Sequence, residues 1–175
     1  MSTGQRTRSQ TRARGDQAAS RAAKEAGFKH RNLPLLLLHA REGVIGQFRP
    51  ILNAHGVTEQ QWRIIRALLE RGPLEPREIG AVCRFSSPAT TGMLARMDDL
   101  SLVKRERQAQ DQRRVTVSLT ARSRALAAEL APQIEAIYQR IEDHIGPEFT
   151  ERFYATLDEV IGLLGELPPV DSDTA

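Results

Sequence analysis

Apolar positions recur with a helical period along most of the chain and change to a strand period in one short stretch. A first helix is expected from Leu33, with Pro34 in its opening turn, and ends before Gly56. Projected at 100° per residue from Leu37, Val44, Ile45, Phe48, Ile51 and Leu52 fall on one stripe, and Arg41 lies near its centre at about 40°. Thr58-Glu59-Gln60-Gln61 is a capping box, with Thr58 as N-cap and Gln61 at N3. It opens a second helix whose Trp62, Ile65, Leu68 and Leu69 share a face and which Gly72-Pro73 ends. A third helix opens at Pro76 and shows Ile79, Val82 and Cys83 on a short apolar side. After a turn at Arg84-Phe85-Ser86, Ser87 as N-cap and Pro88 at N1 start a fourth, with Leu94, Met97 and Leu100 facing in.

Residues 102–107 and 113–119 then read as two strands joined by a turn from Gln108 to Gln112, with basic residues on both sides. So polar a ribbon builds little sheet core and suits a surface laid against phosphates. Beyond Thr120, a further N-cap, a long helix from Ala121 to Ile145 carries Leu126, Leu130, Ile134, Ile137, Ile141 and Ile145 at three- and four-residue steps. Gly146-Pro147 breaks it, and a last helix, about Phe149 to Leu167, carries Phe153, Leu157, Val160, Ile161 and Leu164.

The expected fold is mainly α with a small β-wing: a winged helix-turn-helix over 58–119, and a helical dimerisation region from 32–57 and 120–167. One winged-helix unit cannot cover the stripes of the first and last two helices, which points to a two-fold homodimer. Such a dimer fits a palindromic operator in double-stranded DNA, its half-sites about one helical turn apart.

Within the helix-turn-helix, Ser86, Ser87, Ala89, Thr90, Thr91 and Arg96 are expected on the outer face of the recognition helix. Small and hydrogen-bonding side chains let its N-terminus enter the major groove, with free N–H groups near phosphate. At the wing tip, Asp111 stands two residues before Arg113, so its carboxylate can hold that guanidinium extended toward a narrow minor groove. Arg105, Arg107 and Arg114 are assigned to the DNA backbone. If about six to eight phosphates are neutralised, the log–log dependence of affinity on salt has a slope on the order of −5 to −7.

Charge is unevenly spread. Residues 1–31 carry eight basic groups against Asp16 and Glu25, so of the formal +3 the rest of the chain holds about −3. With no large apolar residue between Met1 and Phe28, this extension is expected to be disordered, as is a short tail over 168–175. Charges stand where a signal peptide needs an apolar run, and no stretch is apolar enough to span a bilayer, so a cytoplasmic protein with no membrane partner is expected. Cys83 stands alone, which excludes an intrachain disulfide and fits a reducing compartment; it reads as a small core residue. The four histidines, His30, His39, His55 and His144, are scattered, so no metal site is expected. No nucleophile, base and orienting group converge and no Gly-rich phosphate loop exists, which disfavours an enzyme; no catalytic residue and no cofactor is assigned.

The element order, together with Asp111-x-Arg113 followed by Leu119-Thr120, resembles the multiple antibiotic resistance regulator (MarR) family over residues 32 to 167. Leu33-Pro34-Leu35-Leu36-Leu37-Leu38, Phe48-Arg49-Pro50-Ile51-Leu52 and Thr58-Glu59-Gln60-Gln61-Trp62-Arg63 are similar to the subgroup repressing homoprotocatechuate degradation, with nicotinate-catabolism repressors close by. One departure is Ser101, where the family usually has glycine after the recognition helix; a left-handed turn there is strained. The resemblance implies a dimeric repressor of an aromatic catabolic operon, released by a small aromatic acid bound between the dimerisation helices and the winged helix.

An arginine on an apolar stripe needs an acidic partner, a carbonyl cluster or a bound anion. Arg41 is therefore the candidate anchor for a ligand carboxylate, helped by Arg31, Asn32 or His39, with Phe48 and Trp62 as an apolar wall. The alternatives are an Arg41 that snorkels or pairs with a glutamate across a subunit contact, a regulator triggered by oxidation of Cys83, and a DNA-binding protein with no ligand.

Overall fold

A computed structural model of the chain describes residues 25–107 and 114–166. It divides into two units, Met1–Val44 and Ile45–Ala175. Helix α1, Leu33–Ala54, contributes to both. In the first unit the Asn32 side chain closes the helix start by accepting from the Leu35 amide at 3.0 Å. Leu33 and Leu35 to Leu38 are all exposed there, so the leucine run covers most of the helix circumference with apolar surface.

The second unit holds the rest of α1 and seven further elements. These are α2 (Glu59–Arg71), α3 (Pro76–Cys83), α4 (Ser87–Asp99), β1 (Val103–Arg107), β2 (Val115–Leu119), α5 (Ala121–Ile145) and α6 (Pro147–Glu166). The predicted capping box forms: the Gln61 amide donates to Thr58 Oγ1 at 3.2 Å and the Thr58 amide donates to Gln61 Oε1 at 2.9 Å. Ile64, Ile65, Leu68, Ile79, Cys83, Leu94, Met97, Val103 and Val117 pack into the main core. A smaller cluster joins Phe48 and Leu52 of α1 to Leu130 and Ile134 of α5, and Trp62 and Leu126 touch both clusters.

Two inward assignments and one helix cap change. Leu69 is exposed, because the buried face of α2 centres on Gln61, Ile64 and Leu68 and residue 69 lies about 100° away from it. Leu100 is exposed because α4 has already ended at Asp99, so the helical period no longer applies to it. The cap of α4 is Ser86 rather than Ser87, its Oγ accepting from the Ala89 amide at 3.4 Å.

The strands pair antiparallel, with Val103 opposite Leu119, Arg105 opposite Val117 and Arg107 opposite Val115. Leu74 adds a bridge on the other side of β2, exchanging backbone hydrogen bonds with Val117 at 2.8 and 3.1 Å. Directly opposed residues share a face, so Arg105 and Arg107 continue the face that Val103 and Val117 bury. Ser101 leads into this ribbon at φ 54°, with its amide donating to Asp98 O and the Leu102 amide to Met97 O, both at 2.8 Å. The left-handed turn expected there is present on a serine.

Candidate nucleic-acid interface

Two short helices and the ribbon frame an open groove. Its lining includes Arg77 of α3, Ser87 and Thr91 of α4, Arg105 of β1, and Glu75 and Arg114 beside them. Ser86, Ser87, Ala89, Thr91 and Arg96 are exposed, as the helix pattern predicts. Thr90 is not. It is 2% exposed, and its hydroxyl donates to Ser86 O at 3.0 Å, so it belongs to the seam between α3 and α4 rather than to the outer face. A small polar residue at this position reads as a contact residue in the sequence; the approach to Gly80 that buries it carries no signal in periodicity.

Arg105 and Arg107 are exposed on β1, as expected. Arg114 is exposed but engaged: its Nε donates to Glu75 Oε1 at 2.6 Å and its Nη2 to the same oxygen. Asp111 and Arg113 lie outside the described residues, as do residues 1–24 of the extension expected over 1–31 and all of the tail expected over 168–175. Arg77 was missed, although an arginine in the first turn of the helix before a recognition helix was legible as a basic group at that edge.

Arg63 fixes the turn that aims α4. Its Nη1 donates to Cys83 O at 3.1 Å, its Nη2 to Glu59 Oε1 at 2.7 Å, and its guanidinium carbon lies 4.9 Å from the Phe85 ring centroid. The carboxylate of Glu59 also reaches Arg49 Nη2 at 3.5 Å. Between the helices, Arg84 takes a left-handed conformation at φ 55°, a position where no glycine marks the turn in the sequence. Burial pushes the Cys83 thiol above its ordinary value, with Arg63 and Arg71 opposing the shift.

The residues assigned to a ligand fall in both units. In the first, Arg31 and His39 are exposed, Asn32 Oδ1 is occupied as the helix cap, and Arg41 Nη1 holds Glu42 Oε1 at 2.7 Å. Arg41 is exposed, and the pair it makes is with its own neighbour, not with a residue across an interface. In the second, Phe48 meets Tyr138 at 4.9 Å between ring centroids, tilted by 55°, and Trp62 packs on the same cluster. Burial raises the Tyr138 phenol above its ordinary value, and the nearby charge of Arg66 pulls it back. Neither Tyr138 nor Arg66 is marked in the sequence, because each lies off the apolar stripe of its helix.

A model of the MarR family matches residues 55–114. The HTH-type transcriptional regulator FarR of Neisseria gonorrhoeae is 39% identical over 120 residues, spanning 69% of this chain and 82% of its own. The homoprotocatechuate degradative operon repressor of Escherichia coli is 37% identical over 134 residues, 77% of this chain and 90% of its own. Among solved structures, NadR in complex with 4-hydroxyphenylacetate matches with a TM-score of 0.67 and 35% identity, over 81% of this chain and 97% of that one. Groove, ribbon and relatives agree: this chain belongs to the MarR family and is a transcriptional repressor of that type, built on a winged helix-turn-helix.

Proposed function

We propose that the chain is a ligand-responsive homodimeric repressor that leaves a palindromic operator when a small aromatic carboxylic acid binds, and that it controls an aromatic catabolic operon. The observation carrying this reading is the groove, where the capped N-terminus of α4 presents Ser87 and Thr91 beside Arg77 and Arg105. The positive end of the helix dipole favours phosphate there, and small side chains permit close approach to base edges. Arg113 and Asp111, outside the described residues, keep the minor-groove assignment made from their spacing.

A second copy is supported by apolar surface on both terminal helices. On α6, Phe149, Tyr154, Ile161, Leu163 and Leu164 are exposed and no residue of the helix is buried, a pattern a lone surface helix does not carry. The leucine run of α1 makes the same demand. Residues 32–57 and 120–167 then form the dimerisation region and 58–119 the DNA-binding one. A repressor of this kind works in the cytoplasm, where its operator is.

For the effector, exposed Tyr138 and half-buried Trp62 offer the ring its surface, with Phe48 buried behind Tyr138. Arg66 takes the carboxylate, and Arg41, with Arg31, Asn32 and His39, is the alternative anchor. The phenol of Tyr138, neutral at pH 7, is a donor for a carboxylate or a ring substituent. A hundredfold release of DNA requires only about 2.7 kcal/mol of preference for the non-binding form. The test is fluorescence anisotropy on a 30-base-pair duplex selected by the protein from a random pool, with and without 4-hydroxyphenylacetate and pyridine carboxylates. Release by one of these acids at unchanged oligomeric state supports the reading; indifference to all of them leaves a repressor without this trigger. Oxidation of Cys83 is the weaker alternative, because the thiol is buried and held neutral.

A further inference from the structure

Among the described residues lining the groove, Glu75 is the one carboxylate, and it stands where a polyanion is expected to lie. Its place in the chain explains what it does. Leu74 is hydrogen-bonded to Val117 of β2 in both directions, and the next residue, Glu75, holds Arg114, the residue that precedes β2. The Glu75 amide in turn donates to Glu78 Oε2 at 2.7 Å, so Glu75 is fixed at the start of α3. The first part of β2 is thus tied to the body at two points three residues apart, one through backbone and one through side chains.

We propose that Glu75 is a positioning residue for the wing and that Arg114 is its strut rather than a phosphate ligand. The bridge and the core packing of Val103, Val117 and Leu119 hold the base of the ribbon, but leave the end of β2 that carries Arg114 free to bend away from it. A second attachment removes that freedom and sets the direction in which the ribbon leaves the body, and with it the placement of Arg105 and Arg107. Two donors of Arg114, Nε and Nη2, are committed to one oxygen of Glu75, which neutralises the charge a phosphate would otherwise meet. This inference rests on the DNA-binding reading and corrects its assignment of Arg114.

Removing either charge alone changes the electrostatics of the groove, so the test keeps net charge constant. Glu75→Gln/Arg114→Gln deletes the ion pair at equal charge and similar size, and the reversed pair Glu75→Arg/Arg114→Glu restores it in the opposite sense. Binding to a 30-base-pair duplex selected by the unsubstituted protein is measured from 50 to 300 mM salt, with thermal unfolding as the check on the fold. The expected result is about fivefold weaker binding for the Gln/Gln protein with an unchanged log–log slope, and recovery to within about twofold in the reversed pair. Gln/Gln binding as tight as the parent, a slope reduced by about one, or no recovery on reversal each overturns the strut. Failure of the unsubstituted protein to select any duplex removes the DNA-binding reading itself, a result none of the variants can mimic.

Discussion

Thr90 closes on Gly80: a Cβ added to Gly80 would lie 3.1 Å from Thr90 Oγ1 and 3.4 Å from Phe85 O. Neither neighbour can retreat without cost, because the Thr90 hydroxyl is bonded to Ser86 O and the Phe85 amide to Gly80 O at 2.9 Å. Alanine ordinarily gains about 1 kcal/mol over glycine inside a helix. Here the crowding costs about 1–3 kcal/mol, so Gly80→Ala is expected to be destabilising overall and to weaken DNA binding by tilting α4. In a double-mutant cycle, Thr90→Ala should relieve part of the loss, giving a coupling of about 1 kcal/mol in urea unfolding. Additive effects would show that the two residues do not meet as described.

Ser101 turns the chain from α4 into β1 at φ 54°, a conformation that costs a non-glycine residue about 1 kcal/mol or more. Its carbonyl accepts from Thr120 Oγ1 at 2.7 Å, a bond through the backbone that any residue at 101 keeps. Ser101→Gly is therefore expected to stabilise the protein by about 0.5–1 kcal/mol, read as a higher urea midpoint at constant m-value, with DNA affinity unchanged. A lower midpoint would mean that the extra freedom of glycine in the unfolded chain outweighs the relieved strain.

Elements and caps were legible because they depend on neighbours in sequence. The Thr58 box, Pro76 opening α3, Thr120 capping α5 and the order of strands all follow from residues within four positions of one another. What the sequence hid depends on contacts across the chain. Thr90 is buried because α3 presents a glycine to it, Arg114 is neutralised by a residue 39 positions away, and Tyr138 gains a neighbour in Phe48 from another helix. A charged residue on an apolar stripe, as Arg41 is, signals the need for a partner only where the stripe is buried, and Arg41 is exposed and paired with its own neighbour Glu42.

Cys83 is 2% exposed and its thiol is held above the ordinary 9.0, chiefly by burial. A raised folded-state value means the neutral thiol is favoured in the fold. The associated stability is complete below about pH 9 and is lost as pH rises through the folded value. Cys83→Ala should therefore show a shallower fall in melting temperature above pH 9 than the parent. At pH 8, labelling by a disulfide reagent should proceed only at the rate of opening, and peroxide should leave DNA binding unaffected. Rapid labelling of folded protein at pH 8 would revive oxidation as the trigger.

Arg105 and Lys104 are adjacent on β1 but differ in surroundings: Lys104 Nζ is paired with Glu106 at 2.9 Å, while Arg105 lines the groove on the face shared with Val117. Arg105→Ala is expected to reduce the salt slope by about one and weaken binding at all sequences alike. Lys104→Ala should change neither by a comparable amount. Equal losses for the two would mean that the ribbon contributes diffuse charge instead of a defined contact.

Arg66 and Arg41 give opposite predictions for the effector. The charge of Arg66 is felt by Tyr138, which packs on Phe48, so charge and aromatic surface occur together in one unit. Each arginine holds a glutamate of its own helix, Arg66 Glu70 and Arg41 Glu42, so pairing does not separate them. A ligand at a hundred times its dissociation constant stabilises the folded form by about 2.7 kcal/mol, a shift easily read in thermal unfolding. With 4-hydroxyphenylacetate as the probe, Arg66→Ala is expected to abolish that shift and Arg41→Ala to retain most of it. Arg66→Lys should recover part, since the charge returns without the planar two-donor geometry. The reverse ranking would transfer the carboxylate to Arg41 and leave Arg66 as a surface partner of Glu70, to which its Nη2 donates at 2.8 Å.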